Sequence, residues 1–153
     1  MNIRLLILCL FCAGLMACNN KAIFPMEPHI EYLDMQPREV SETSADNKIT
    51  IEFSFTDGDG DLGDVVGGDK MSLIVIDNRT QFPDSLRTFR FQLPDLRPNT
   101  KKPSIMGEIS VEVLQTPLTP GTLKDSTSFT VYIFDQAGHK SNEIVTDKVY
   151  IKP

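Results

Sequence analysis

Ile49-Thr50-Ile51-Glu52-Phe53-Ser54-Phe55-Thr56 alternates apolar and polar side chains at every step. A period of two puts Ile51, Phe53 and Phe55 on one face of an extended chain, the signature of a strand buried on one side. Similar runs lie on both sides of it. Ile30 to Met35, ending before Pro37, predicts a first strand, and Met71 to Ile76 a buried one. Phe89 to Leu93 and Ile109 to Val113 repeat the alternation, and Glu143 to Ile151 predicts a closing strand. Phe129 to Phe134 is apolar enough on both faces for a central position. No sustained helical period appears beyond the first seventeen residues, and the one helix candidate, Asp84 to Arg87, is a single turn. About seven strands separated by Pro- and Gly-bearing turns predict an all-β sandwich. Arg97 to Pro103 reads as a basic extended loop, and Thr116 to Gly121, with two prolines, as another turn.

The run at Ile49 leads directly into Asp57-Gly58-Asp59-Gly60-Asp61-Leu62-Gly63-Asp64. Carboxylates alternating with glycines let a loop wrap oxygens around a hard cation, and Ca²⁺ accepts six to eight oxygens in irregular geometry. Without a cation, two carboxylates about 4 Å apart repel by roughly 4 kcal/mol at an effective dielectric near 20. The EF-hand pattern does not fit. Counted from Asp57, its glycine position holds Leu62 and its terminal glutamate position holds Gly68. An oxygen-only donor set without cysteine favours Ca²⁺ over Zn²⁺.

The N-terminus carries Arg4 ahead of a short apolar run from Leu5, and small residues precede Cys18. That is the layout of a secretory signal, too short to span a bilayer core of about 20 residues. Leu15-Met16-Ala17-Cys18 resembles the bacterial lipobox, which implies cleavage before Cys18 and its diacylation. Residues 1–17 are then a leader, 18–28 a lipidated tether and 29–153 the domain. Cys9 and Cys12 leave with the leader, so the mature domain has no thiol for a disulfide or a thiolate metal site. Loss of Arg4 turns 15 basic residues into 14 against 21 acidic, a formal charge of −7. That balance excludes nucleic acid and anionic lipid surfaces as natural partners. The acyl chains imply a membrane anchor.

Two segments resemble immunoglobulin-like domains of small Bacteroidota-type envelope lipoproteins. One is Phe53 to Gly63, a strand followed by the acidic glycine loop. The other is Val131-Tyr132-Ile133-Phe134-Asp135-Gln136-Ala137-Gly138-His139-Lys140-Ser141-Asn142. The resemblance implies a fold and a place in the envelope rather than an activity. In an immunoglobulin-like order these are the second and sixth strands, facing each other and running the same way. Asp57 continues the inward phase of Ile51, Phe53 and Phe55, and Asp135 that of Phe129, Val131 and Ile133. Both aspartates are therefore expected at one mouth of the sandwich, with Asp69 near it. The candidate metal ligands are Asp57, Asp59, Asp61, Asp64, Asp69 and Asp135. After Cys18 the residues Asn19-Asn20-Lys21-Ala22 lack the acidic cluster typical of surface-exported members, which points to the periplasmic face of the outer membrane.

No serine sits in a strained glycine elbow, and nothing marks a general base, so a non-enzymatic protein is expected. His29 and His139 read as surface or turn residues. Structure or interaction with an envelope protein is the leading reading, and glycan binding for an uptake system the alternative. The absence of tryptophan and a count of three tyrosines offer little material for a sugar platform.

Overall fold

The computed structural model describes residues 24–45, 47–63, 68, 70–96, 104–114 and 116–153. The fold is all-β. The strands are β1 (His29–Gln36), β2 (Glu39–Ser41), β3 (Lys48–Asp57), β4 (Leu73–Asp77), β5 (Thr88–Phe91), β6 (Ile105–Leu114), β7 (Asp125–Thr127), β8 (Phe129–Ile133), β9 (Ile144–Val145) and β10 (Val149–Lys152). The single turn α1 (Asp84–Arg87) precedes β5. One sheet has the order β1-β3-β6 and another β5-β4-β8-β9, each antiparallel throughout. In a third, small sheet β10 lies between β2, parallel to it, and β7, antiparallel to it.

The alternation at Ile49 acts as expected. β3 pairs with β6 from Lys48↔Leu114 to Asp57↔Ile105 without a break, so one face of both strands reaches the core along its whole length. Ile51 and Phe53 from β3 and Val113 from β6 share one buried cluster with Leu73 and Val75 of β4 and Val131 and Ile133 of β8. Each such side chain contributes about 1.5–3 kcal/mol when fully buried. β4 and β8 are the inner strands of their sheet, which explains why their sequences are apolar on both faces.

The expected closing strand, Glu143 to Ile151, is two strands. Ile144–Val145 extends the four-stranded sheet beside β8, whereas Val149–Lys152 crosses to the small sheet. Thr146 makes the division: its amide donates to the Phe129 carbonyl, and its hydroxyl accepts from the Phe129 amide. Beyond it the chain leaves β8. The sequence reading also missed β2 and β7, three residues each, too short to show a period.

A buried charged network closes the sandwich where β4 ends. The Arg79 guanidinium contacts Asp77 Oδ2 at 2.5 Å and Asp125 Oδ2 at 2.8 Å, and it donates to the Pro117 carbonyl. The Thr127 hydroxyl donates to Asp77 as well. The register pairs Asp77 with Phe129 and Leu73 with Ile133, so this network and Asp135 lie at opposite ends of β8. Removing one partner of a buried pair leaves an uncompensated charge, at roughly 3–5 kcal/mol. Arg79→Ala should lose about that much in chemical denaturation. Lys48→Ala, which breaks a half-exposed pair with Glu112, should lose about 1 kcal/mol at most.

Candidate metal centre

The phase of β3 decides where the acidic loop begins. Ile51 and Phe53 are fully buried and Phe55 nearly so, and Asp57, next in that phase, is also 0 % exposed. From there the chain turns through Gly60 (φ 71°) and Gly63 (φ 90°), in the left-handed region that favours glycine. At Gly63 a side chain is also excluded by packing, because a Cβ would fall 1.9 Å from the Pro94 carbonyl oxygen. The Leu96 amide donates to the Leu62 carbonyl nearby, so the chain after β5 braces the loop.

Asp57, Asp59 and Asp61 each turn one carboxylate oxygen towards a common point, within 4.8 Å of one another. Two oxygens on one ion at 2.3–2.6 Å lie at most about 5 Å apart, so the three fit a single metal ion. Both oxygens of Asp57, and Oδ1 of Asp59 and of Asp61, are buried without a hydrogen-bond partner. Burial first, then the charges of Asp59, Asp61 and Asp135, push the Asp57 carboxyl up to about 7. Burial and the charges of Asp135 and Asp59 raise Asp61 as well. A buried ionised carboxylate is tolerated only when paired or coordinated.

Asp135 lies at the same mouth, as expected from the immunoglobulin-like order. It is 1 % exposed and pairs with Leu62 in an isolated antiparallel bridge. Its carboxylate is nevertheless engaged. Oδ1 accepts from the amides of Gly138 (2.6 Å) and His139 (2.7 Å), and Oδ2 is 2.7 Å from His139 Nδ1. That bond raises the His139 pKa. Asp135 thus shapes the turn over residues 135–139, and the turn in turn orients the cluster. Its Ala137 amide donates to Asp61 Oδ2, and its Gln136 amide donates to the Asp61 carbonyl. Asp61 is left with Oδ1 facing Asp57 and Asp59. Lys70 Nζ donates to the carbonyls of Asp135 and Gln136, fixing the turn from outside.

Of the candidate ligands, then, Asp57, Asp59 and Asp61 come together and Asp135 stands behind them as a positioning residue. Asp64, Asp69 and the lipidation residue Cys18 lie outside the described residues. His139 is an exposed turn residue, as expected, and its ring also bonds the Asp135 carboxylate. Its spacing of four from an inward-phase aspartate was the available signal. Among the described residues no helix is long and apolar enough to cross a membrane. Comparison with protein-family models, curated proteins and solved structures finds no match for this chain.

The raised Asp57 and His139 pKa values have the same sign of consequence. Between the ordinary carboxylate value and about 7, folded Asp57 holds a proton that the unfolded chain releases, so stability falls as pH rises through that window. For His139, stability present below about 6.5 is lost as pH rises through its higher folded value. In chelator, the melting temperature should therefore rise from pH 8 to pH 5. Asp57→Asn should flatten that profile and melt higher than the parent at pH 8. A parent profile that rises with pH across this window would contradict the buried, uncompensated carboxylate.

Proposed function

We propose that this chain is a membrane-anchored, non-enzymatic lipoprotein of the cell envelope whose β-sandwich is stabilised by Ca²⁺ and used for structure or protein interaction. The observation that carries the metal is Asp57, fully buried with neither oxygen partnered, beside two more unpartnered carboxylate oxygens. The choice of ion follows from the donors. They are oxygen only, on a glycine loop, and suit a hard cation that tolerates irregular coordination better than one demanding an ideal octahedron. The engaged hydroxyl of Ser141 favours a non-enzymatic role. It accepts from the Ile133 amide and donates to the Asn142 carbonyl, rather than serving the nearby His139–Asp135 pair.

An ion that binds only the folded state adds RT ln(1 + [L]/Kd), about 2.7 kcal/mol at a hundredfold excess over Kd. For a domain of this size that is a melting shift of several degrees. Asp59→Asn should reduce the shift by removing a ligand. Asp135→Asn should reduce it by loosening the turn that orients Asp61. Asp125→Asn should lower the baseline, because Asp125 holds Arg79 at the far end, yet keep the Ca²⁺-dependent increment. No shift in the parent rejects the ion.

Anchoring rests on Cys18. Cys18→Ala should give an unprocessed or soluble protein, read by detergent phase partition of cell extracts. A variant that is still cleaved and still enters the detergent phase rejects the lipobox.

A further inference from the structure

The segment that joins the domain to its N-terminal tether runs directly over the acidic loop. A Cβ on Gly58, between Asp57 and Asp59, would lie 2.3 Å from the Pro25 carbonyl oxygen and 2.4 Å from that of Phe24. Two backbone carbonyls therefore abut the loop between its first two aspartates. Glu27 lies within electrostatic reach of His139, as does Asp59. From Ile30 onward the chain is fixed independently. The Asn142 side chain accepts from the Ile30 amide and donates to its carbonyl, both at 2.8 Å.

Little apolar burial holds this segment down. Pro25, Met26 and Glu27 are exposed, and a cleft of about 540 Å³ opens among Phe24, Pro25, Glu27, His29, Lys140 and Asn142. Electrostatics then decides whether it docks. Carbonyl oxygens and a glutamate approaching this cluster of carboxyl groups meet negative charge and oxygen dipoles of their own sign. With a divalent cation among the aspartates, the same dipoles are attracted.

We propose that Phe24–Glu27 is an ion-gated clamp: Ca²⁺ in the Asp57–Asp59–Asp61 loop docks the segment on Gly58, and its absence releases it. The clamp rests on the ion reading above. Coupling of this kind is reciprocal, so a segment that cannot dock must weaken the ion by the factor the ion strengthens docking. With Phe24 docked and Cys18 lipidated, six peptide steps separate anchor and domain, at most about 22 Å; with Phe24–Glu27 released, ten steps to the buried Pro28 reach about 36 Å. The ion would set how far the sandwich stands from its membrane.

The chain has no tryptophan, so Phe24→Trp supplies a single indole reporter. In the full-length lipoprotein in detergent micelles, Ca²⁺ should shift the indole emission to the blue, chelator should reverse it, and the midpoint should match calorimetric binding. Gly58→Ala, whose methyl group would occupy the position of the two carbonyls, should abolish the emission shift. Pro25→Gly lies off the loop and makes the segment costlier to order. It should weaken Ca²⁺ binding severalfold. Emission indifferent to Ca²⁺ while calorimetry shows binding overturns the clamp and leaves the ion standing. So does parent-like Ca²⁺ affinity in Pro25→Gly. No calorimetric binding in the parent overturns the ion, and the clamp with it.

Discussion

The burial of Asp57 is the constraint around which one end of this molecule is organised. It is a consequence of register. β3 runs unbroken against β6 as far as Asp57↔Ile105, so the residue two past Phe55 has to face inward. A leucine there would simply extend the core. An aspartate instead places a buried carboxylate at the end of the core, in a cluster that could hold a metal ion, and the surrounding chain accommodates it. Gly60 turns the backbone between Asp59 and Asp61, whose carboxylates meet that of Asp57, and Gly63 turns the chain away after them. Pro94 and Leu96 brace the loop from one side and the 135–139 turn from another.

The turn shows how a residue far along the chain governs the cluster without joining it. Asp135 binds two amides and an imidazole, and these contacts hold Ala137 where its amide meets Asp61. The chain of effect runs from carboxylate to turn to amide to carboxylate. Each link is short and directional, so disturbance at Asp135 reaches Asp61 through geometry as well as through charge.

How much of this was legible in the sequence follows from what a period of two can encode. Alternation at Ile49–Thr56 and Phe129–Phe134 located the strands and the inward phase of Asp57 and Asp135, while their common mouth was an expectation from the resemblance to an immunoglobulin-like order. It said nothing about which atoms the Asp135 oxygens would meet, because the decisive donors are backbone amides that every residue carries. It also could not divide Glu143–Ile151, where apolar residues on either side of Thr146 serve two different sheets. The approach of Phe24 and Pro25 to Gly58 was invisible for a related reason. A glycine in an acidic loop already has a local explanation, so the steric demand of a distant segment adds no separate mark.

The two ends of the sandwich meet the same problem in opposite ways. Asp77, 3 % exposed, closes β4 as Asp57 closes β3, and there the chain supplies its own compensation. Arg79 reaches Asp77 through its backbone amide and its guanidinium, Thr127 adds a hydroxyl, and Asp125 balances the remaining side of the arginine. At that end the buried aspartate is paired within the chain. Among the described residues no arginine or hydroxyl bonds the Asp57 carboxylate. Lys70, the cation whose contacts reach the 135–139 turn, bonds there to carbonyls. An internal partner would make the Asp57 end as fixed as the Arg79 end. On the reading proposed above, leaving the carboxylates for a diffusible ion makes the stability of that end, and the docking of Phe24–Glu27 on Gly58, depend on the surroundings of the protein.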